Sequence, residues 1–301
     1  MGVIAIIAAL LLEQWRPLDA RGTLRAGLAH WADRLERSFN AGEARHGVIA
    51  WCVAALLPAL AALALHAALD WLNDGLALLL NIAALYLTLG FRQFSHPFTA
   101  IQAAMREGDI DRARELLGTL RGESAAHRSR EEVVRLTIEE ALAASHRHVF
   151  GVLFWFVVLP GPAGAILYRL AALVGWRWRG LGAFGRCAER ALHWLEWPAT
   201  RFTAASFAVV GDFEDAVYCW RTQAAAWPDP QMGIVLAAGA GAMGVKLGMP
   251  LQELEGLAPR PELGLGEEAD APFLDSTVGL VWRALVVWIF ALALLAVARI
   301  F

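Results

Sequence analysis

The chain has 301 residues, 58% of them hydrophobic, a mean hydropathy of +0.47 and a formal net charge of -3. That hydropathy argues against an ordinary water-soluble domain, and the bland charge gives no footing for a nucleic-acid binder. Three scattered cysteines, Cys52, Cys187 and Cys219, form no CxxC pair, which excludes a disulfide framework and a zinc site of that type.

In chain order, Val3–Leu12 reads as a short apolar span that ends at Glu13. It has no basic flank or clear cleavage site, so we read it as retained and not as a signal peptide. Segment 16–47 carries six Arg and reads as an amphipathic helix around Leu24, Leu28, Trp31 and Leu35. Val48–Leu69 is long enough to cross a bilayer, and Leu76–Phe91 returns after a tight turn flanked by Asp70 and Asp74. Segments 16–47 and 92–147 hold fifteen of the 26 basic residues, and 48–91 holds none. The positive-inside bias therefore places both basic segments in the cytoplasm and the N-terminus outside the inner membrane of a bacterium.

Residues 92–148 read as a cytoplasmic helical hairpin within a single membrane domain covering 1–301. Gly108-Asp109 opens one helix, and Ser129 with Glu132 has capping-box spacing at the start of the next. Val149 to Trp176 is a long apolar run broken by Pro160-Gly161-Pro162, with Arg169 as its only charge. A broken helix is tolerated in a bilayer where the freed backbone faces protein or a polar cavity, so a polar site is expected beside the break. Segment 186–222 reads as an amphipathic helix interrupted by Pro198, and Met232–Gly248 as apolar and glycine-rich. Residues 249–277 form an acidic loop in which Arg260 is the only base, and Val278–Val297 is a final span. The fold class is all-α and polytopic, with about four or five membrane-crossing or re-entrant segments.

Several side chains are candidates for chemistry. Glu139-Glu140 suits cation binding or acid–base work, although a solvated helix face explains most such pairs. His146 and His148, at i and i+2, do not share a helical face and so do not make a metal pair; headgroup-level polar residues explain them equally. Glu13 and Arg169 are costly in a membrane; they either pair structurally or line a polar site. The sequence from Gly239 to Lys246 imitates a phosphate-binding loop, but Val245 intervenes before Lys246 and Leu247 follows it. Close helix packing through small residues is the better reading.

The pattern of motifs resembles the CobD/CbiB family of membrane adenosylcobinamide-phosphate synthases, and is more similar still to its AmpE-like branch. LFWFVVLPGPAGAILYR at 153–169 is similar to the family's APLFWxxxGGxxGAxxYR segment. GDIDRARELL at 108–117 matches its GDLxxARxLL helix. HWLEWPATRFTA at 193–204, PDPQMG at 228–233 and GAMGVKLG at 241–248 match further landmarks. The family's EN-x-SDG reads Ala143-Ala144-Ser145-His146-Arg147-His148 here, and its DD-xx-N is replaced by Ala191, Leu192 and Leu195. The resemblance implies ATP-driven amide formation on a corrinoid carboxylate, with magnesium. Loss of those polar positions implies a non-catalytic or repurposed signalling modulator, with the active synthase as the alternative. It also implies Glu139, Glu140 and Arg201 as candidate catalytic groups, without a protein metal site. Glu13, His146, His148, Arg169, Arg201 and Gln231 are the candidate ligand-binding residues. The expected partners are the lipid bilayer, a protein partner or second copy, and a corrinoid or phosphate-bearing ligand.

Overall fold

Proline and asparagine set the first membrane hairpin. In a computed structural model, which describes residues 2–15, 21–253 and 256–298, α1 (Gly2–Trp15) and α2 (Arg21–Phe39) precede one unbroken helix, Ala44–Leu72. It consists of α3 (Ala44–Trp51), a π-helical turn at Cys52–Leu56 and α4 (Leu57–Leu72). Pro58 lacks an N–H and its ring crowds the carbonyl four residues back, at Ala54. The π turn lies there and lets the helix continue. Asn73 stops α4 in an extended conformation, and its side chain accepts from Gly75 N at 2.7 Å to cap α5 (Asp74–Thr88).

Two amphipathic helices follow, α6 (Phe91–Glu107) and α7 (Ile110–Arg121). They end at Gly108 (φ 78°) and Gly122 (φ 73°), left-handed positions that favour glycine. The Ser129/Glu132 capping box opens α8 (Arg130–Ser145) as expected. A π-helical turn at His146–Phe150 leads to α9 (Gly151–Val158), and α10 (Ala163–Arg177) starts beyond the proline pair. The remaining helices are α11 (Gly182–Val210), α12 (Phe213–Gln223), α13 (Pro230–Met243) and α14 (Pro272–Ala298). Between α13 and α14 lie five short strands: β1 (Val245–Gly248), β2 (Leu251–Glu253), β3 (Gly256–Ala258), β4 (Glu262–Leu263) and β5 (Glu267–Glu268).

The protein is an all-α multi-pass membrane protein by length and composition. Ala44–Leu72, Arg130–Val158 and Pro272–Ala298 are each long and apolar enough to cross a bilayer, and α1, α5 and α13 are shorter apolar helices. The first and last of those spans leave most of their apolar windows exposed, only 22% being buried, as lipid-facing helices do. The Arg130–Val158 window is 72% buried, so that helix is enclosed by protein.

The chain divides into two compact units. The first comprises 1–89 and 151–199. Its core joins Ala32 of α2, Ala50 and Ala54 of the first long helix, Val174 and Trp178, and Phe184 and Ala188 of α11. Small residues permit this: a side chain on Gly47 would collide with the Phe184 backbone. The break between α9 and α10 also lies in this unit. Gly161 has φ +62° beneath the His66 ring, and Gly164 lets α10 approach the Trp155 carbonyl.

The second unit comprises 90–150 and 200–301. Its centre is α13, buried along nearly its whole length. A side chain on Gly241 would strike the Asp215 backbone, and one on Gly239 would press on Leu142. The phosphate-loop imitation is therefore a packing helix, capped by Gly244 at φ 67°. β1 pairs antiparallel with β4 and parallel with β5, while β2 and β3 form a separate hairpin.

Four local expectations are revised. Pro198 does not interrupt its helix: α11 runs through it, and the neighbouring Leu195 carbonyl accepts Trp155 Nε1 at 3.0 Å. Asp70 lies inside α4, so the first turn is Asn73 alone. Segment 249–277 is not all loop, because buried Leu251 and Leu263 anchor short strands. Within 92–148, α8 is buried on nearly every side, although it carries Glu132, Arg135 and Glu139. Glu132 and Glu139 find their partners within the unit, whereas Arg135 is only partly satisfied. Of the expected amphipathic stretch 16–47, residues 16–20 lie outside the described residues.

Candidate functional site

Glu132, Arg135 and Glu139 recur at helical spacing and lie on one stripe of α8. All three are buried. Glu139 Oε2 pairs with Arg260 Nη2 at 2.5 Å, and its Oε1 accepts the Gly248 N–H at 2.9 Å. The carboxylate thus clamps the end of β1 and the only base of the acidic segment against α8. Arg260 also stacks over Trp227 at 4.8 Å, which fixes the guanidinium plane. Arg260 Nη1 is buried without a hydrogen-bond partner among the described residues.

Arg135 is held less well. Its Nη2 donates to the Pro250 carbonyl at 3.3 Å, its Nη1 reaches Met249 Sδ at 3.5 Å, and Glu132 lies 4.0 Å away. Arg135 Nε is buried with no partner among the described residues. Glu132 is itself committed to the capping box, accepting from Ser129 N at 2.9 Å. Glu140 is half-buried. Lys246 on β1 pairs with Glu262 at 3.5 Å and stays partly exposed.

A second polar group surrounds the start of α13. Asp229 caps that helix, accepting from Gln231 N and Met232 N, and Pro230 occupies the first turn. Gln231 Oε1 then accepts from both Thr200 Oγ1 and Arg201 Nη1, each at 3.1 Å. The structure therefore brings two of the expected residues, Arg201 and Gln231, together.

His146 is fully buried in the π-helical turn, with Nδ1 at 2.9 Å from Thr203 Oγ1 and Nε2 without a partner among the described residues. His148 is half-buried, and its carbonyl accepts the Gly90 N–H at 3.1 Å. Glu13 is buried in α1 and Arg169 half-buried in α10, both within the first unit. Among the described residues, no three His, Cys, Asp or Glu side chains gather as a metal group.

Sequence reasoning missed Arg135, Gly248, Thr200 and Thr203. The stripe of charges on α8 signalled Arg135, and the lone Arg260 in an acidic segment signalled the clamp. The pairing of the two needed the tertiary structure.

These features define a polytopic helical membrane protein whose second unit holds a buried ion-paired polar cluster against a glycine-rich helix. The chain belongs to the CobD/CbiB family: the family model described as CobD/Cbib protein matches residues 6–297. It is 36% identical over 297 residues to the cobalamin biosynthesis protein CobD of Stutzerimonas stutzeri (strain A1501), with 96% of each chain covered. It is 36% identical over 217 residues to the cobalamin biosynthesis protein CobD of Chromobacterium violaceum, covering 71% of this chain and 69% of that one. The protein of that name from Mycobacterium tuberculosis (strain H37Rv) is 30% identical over 192 residues, 61% of each chain. No solved structure matches. The matched relatives lend no support to the narrower AmpE-like placement or to a signalling role.

Proposed function

We propose that this protein acts in cobalamin biosynthesis as a membrane-embedded, ATP-dependent amide-forming ligase, joining an amine to a corrinoid carboxylate. The observation that carries this reading is identity along 96% of both chains with a protein named for cobalamin biosynthesis. The polar residues retained in the second unit support it. Glu139 and Arg260 hold the β1 corner, Asp229 and Gln231 shape the start of α13, and Arg135 is enclosed beneath Met249 and Pro250. An enzyme that handles anionic substrates needs such preorganised donors.

ATP and magnesium come with this reading. Both oxygens of Glu139 are engaged, so magnesium in this reading would be held chiefly by substrate phosphates and water. We further propose that the protein resides in the bacterial inner membrane, with the arginine-rich segments on the cytoplasmic side and the N-terminus outside.

A repurposed, non-catalytic role is the second reading. It is favoured by Ala143 and Ala144, both buried where the resembled signature carries an acidic and an amide side chain. Genetic complementation separates the two. Expression in a bacterium that lacks its own synthase, grown where cobalamin assembly is essential, should restore growth. Membrane-inserted protein that gives no growth favours the repurposed role.

A further inference from the structure

We propose that Arg135 and Arg260 form a binding site for the phosphate group of a small phosphorylated ligand, beneath the Gly248–Pro250 corner of the second unit.

Arg135 is 7% exposed, yet none of its partners is a close anion. A thioether at 3.5 Å is a weak acceptor, and a carboxylate at 4.0 Å is beyond hydrogen-bond reach. Enclosing a guanidinium in this way is expensive unless an anion meets it. Of the three carboxylates near Arg135, Glu139 is occupied by Arg260 and the Gly248 N–H and Glu132 by the cap of α8, while Glu268 lies exposed on β5. Two guanidinium nitrogens, Arg135 Nε and Arg260 Nη1, are left as buried donors without acceptors among the described residues. Both arginines flank the Glu139 clamp, and Trp227 holds the plane of one of them.

The corner above them is strained. Met249 has φ 61°, the one positive-φ non-glycine among the described residues, and its sulfur is the group on Arg135. Strain of this kind persists at ligand clamps, where the surroundings impose it. Displacing the Met249 sulfur would open the fork of Arg135 to an oxyanion. Two separate guanidinia suit a phosphate dianion with three oxygens better than a carboxylate with two. Lys246, three residues before Met249, lies on β1, where it is partly exposed and paired with Glu262 at 3.5 Å. In assigning the ligand to a phosphate-bearing substrate, the inference rests on the proposed function; as an oxyanion site it stands on this geometry.

The test uses the full chain, purified in phosphate-free neutral detergent and titrated calorimetrically with inorganic phosphate and with pyrophosphate at constant ionic strength. Saturable binding is expected, accompanied by a higher unfolding midpoint. Affinity should fall at least about tenfold in Arg135→Gln and Arg260→Gln, and stay unchanged in the exposed control Arg45→Gln. Should Arg135→Gln not fold, Arg135→Lys keeps the charge, loses the fork and should show the same weakening. Absence of binding to the folded chain, equal binding by Arg135→Lys and Arg260→Gln, or equal binding of acetate would overturn the proposal. Phosphate binding that disappears in phosphatidylglycerol nanodiscs but persists in phosphatidylcholine ones would give the site to a lipid headgroup and overturn the free-ligand assignment. Phosphate binding without corrinoid amide synthesis would sink the proposed function alone, and synthesis without phosphate binding would sink this site alone.

Discussion

Glu139 ties three parts of the second unit together through one carboxylate: α8, the end of β1 and Arg260. Glu139→Gln keeps the shape but leaves Arg260 without its counter-ion. Breaking a fully buried pair costs about 3–5 kcal/mol. Because the Arg260 side chain is 17% exposed, solvent recovers part of that, and a loss of about 2 kcal/mol is expected. Thermal unfolding in detergent reads this directly. An unchanged midpoint would show that the clamp does not stabilise the unit. Gln231 is a milder case, since its oxygen accepts from Thr200 and Arg201 together. Gln231→Leu should lower stability by about 1–3 kcal/mol, because it leaves donors unsatisfied. Destabilisation no greater than that of an exposed Gln→Leu change would argue against it.

Among the elements, the α9–α10 pair depends on a backbone approach that only glycine allows. A side chain at Gly164 would meet the Trp155 carbonyl, whereas one at Gly279 on α14 meets nothing within 4 Å. Gly164→Ala should therefore cost about 1–3 kcal/mol of stability, and Gly279→Ala should be neutral or slightly stabilising. Equal effects in a denaturation series would contradict the close packing. Helices α2 and α10 are joined by a two-pronged pair, Asp33 Oδ1 and Oδ2 each lying 2.6 Å from Arg177 nitrogens. The hydrogen bond from Arg177 holds the Asp33 carboxyl below its usual range. A depressed folded value means the stabilisation is present above the unfolded carboxyl pKa of about 3.9 and fades as pH falls through the folded one. Wild type should exceed Asp33→Asn in unfolding midpoint at neutral pH by a small margin, and the margin should close as the pH falls below the usual carboxylate range. A margin that persists in acid would place the effect elsewhere.

Over the whole molecule, two of the three long apolar helices were legible because a bilayer demands such helices: Val48–Leu69 fell inside Ala44–Leu72 and Val278–Val297 inside Pro272–Ala298, whereas Arg130–Val158 was read as a hairpin helix followed by a separate apolar run. The proline break and the Ser129 cap were legible because their causes are local. The burial of α8 was not legible. Its charges read as a solvated face, and only the packing of α13 and β1 against it shows that Arg260 and Gly248 replace water. The short strands escaped notice because two to four residues carry too little periodicity to register. Function was read from missing polar landmarks, and that reasoning weighed side chains near His146 above the retained cluster around Glu139.

The most direct measurement of the central claim is the reaction itself. Purified protein in nanodiscs, supplied with ATP, magnesium, a carboxylate-bearing corrinoid and a labelled amino-alcohol or its phosphate ester, should transfer label into the corrinoid amide. Transfer should require ATP and should fall at least about tenfold in Arg260→Gln. Folded protein that binds these compounds yet transfers no label would contradict the account.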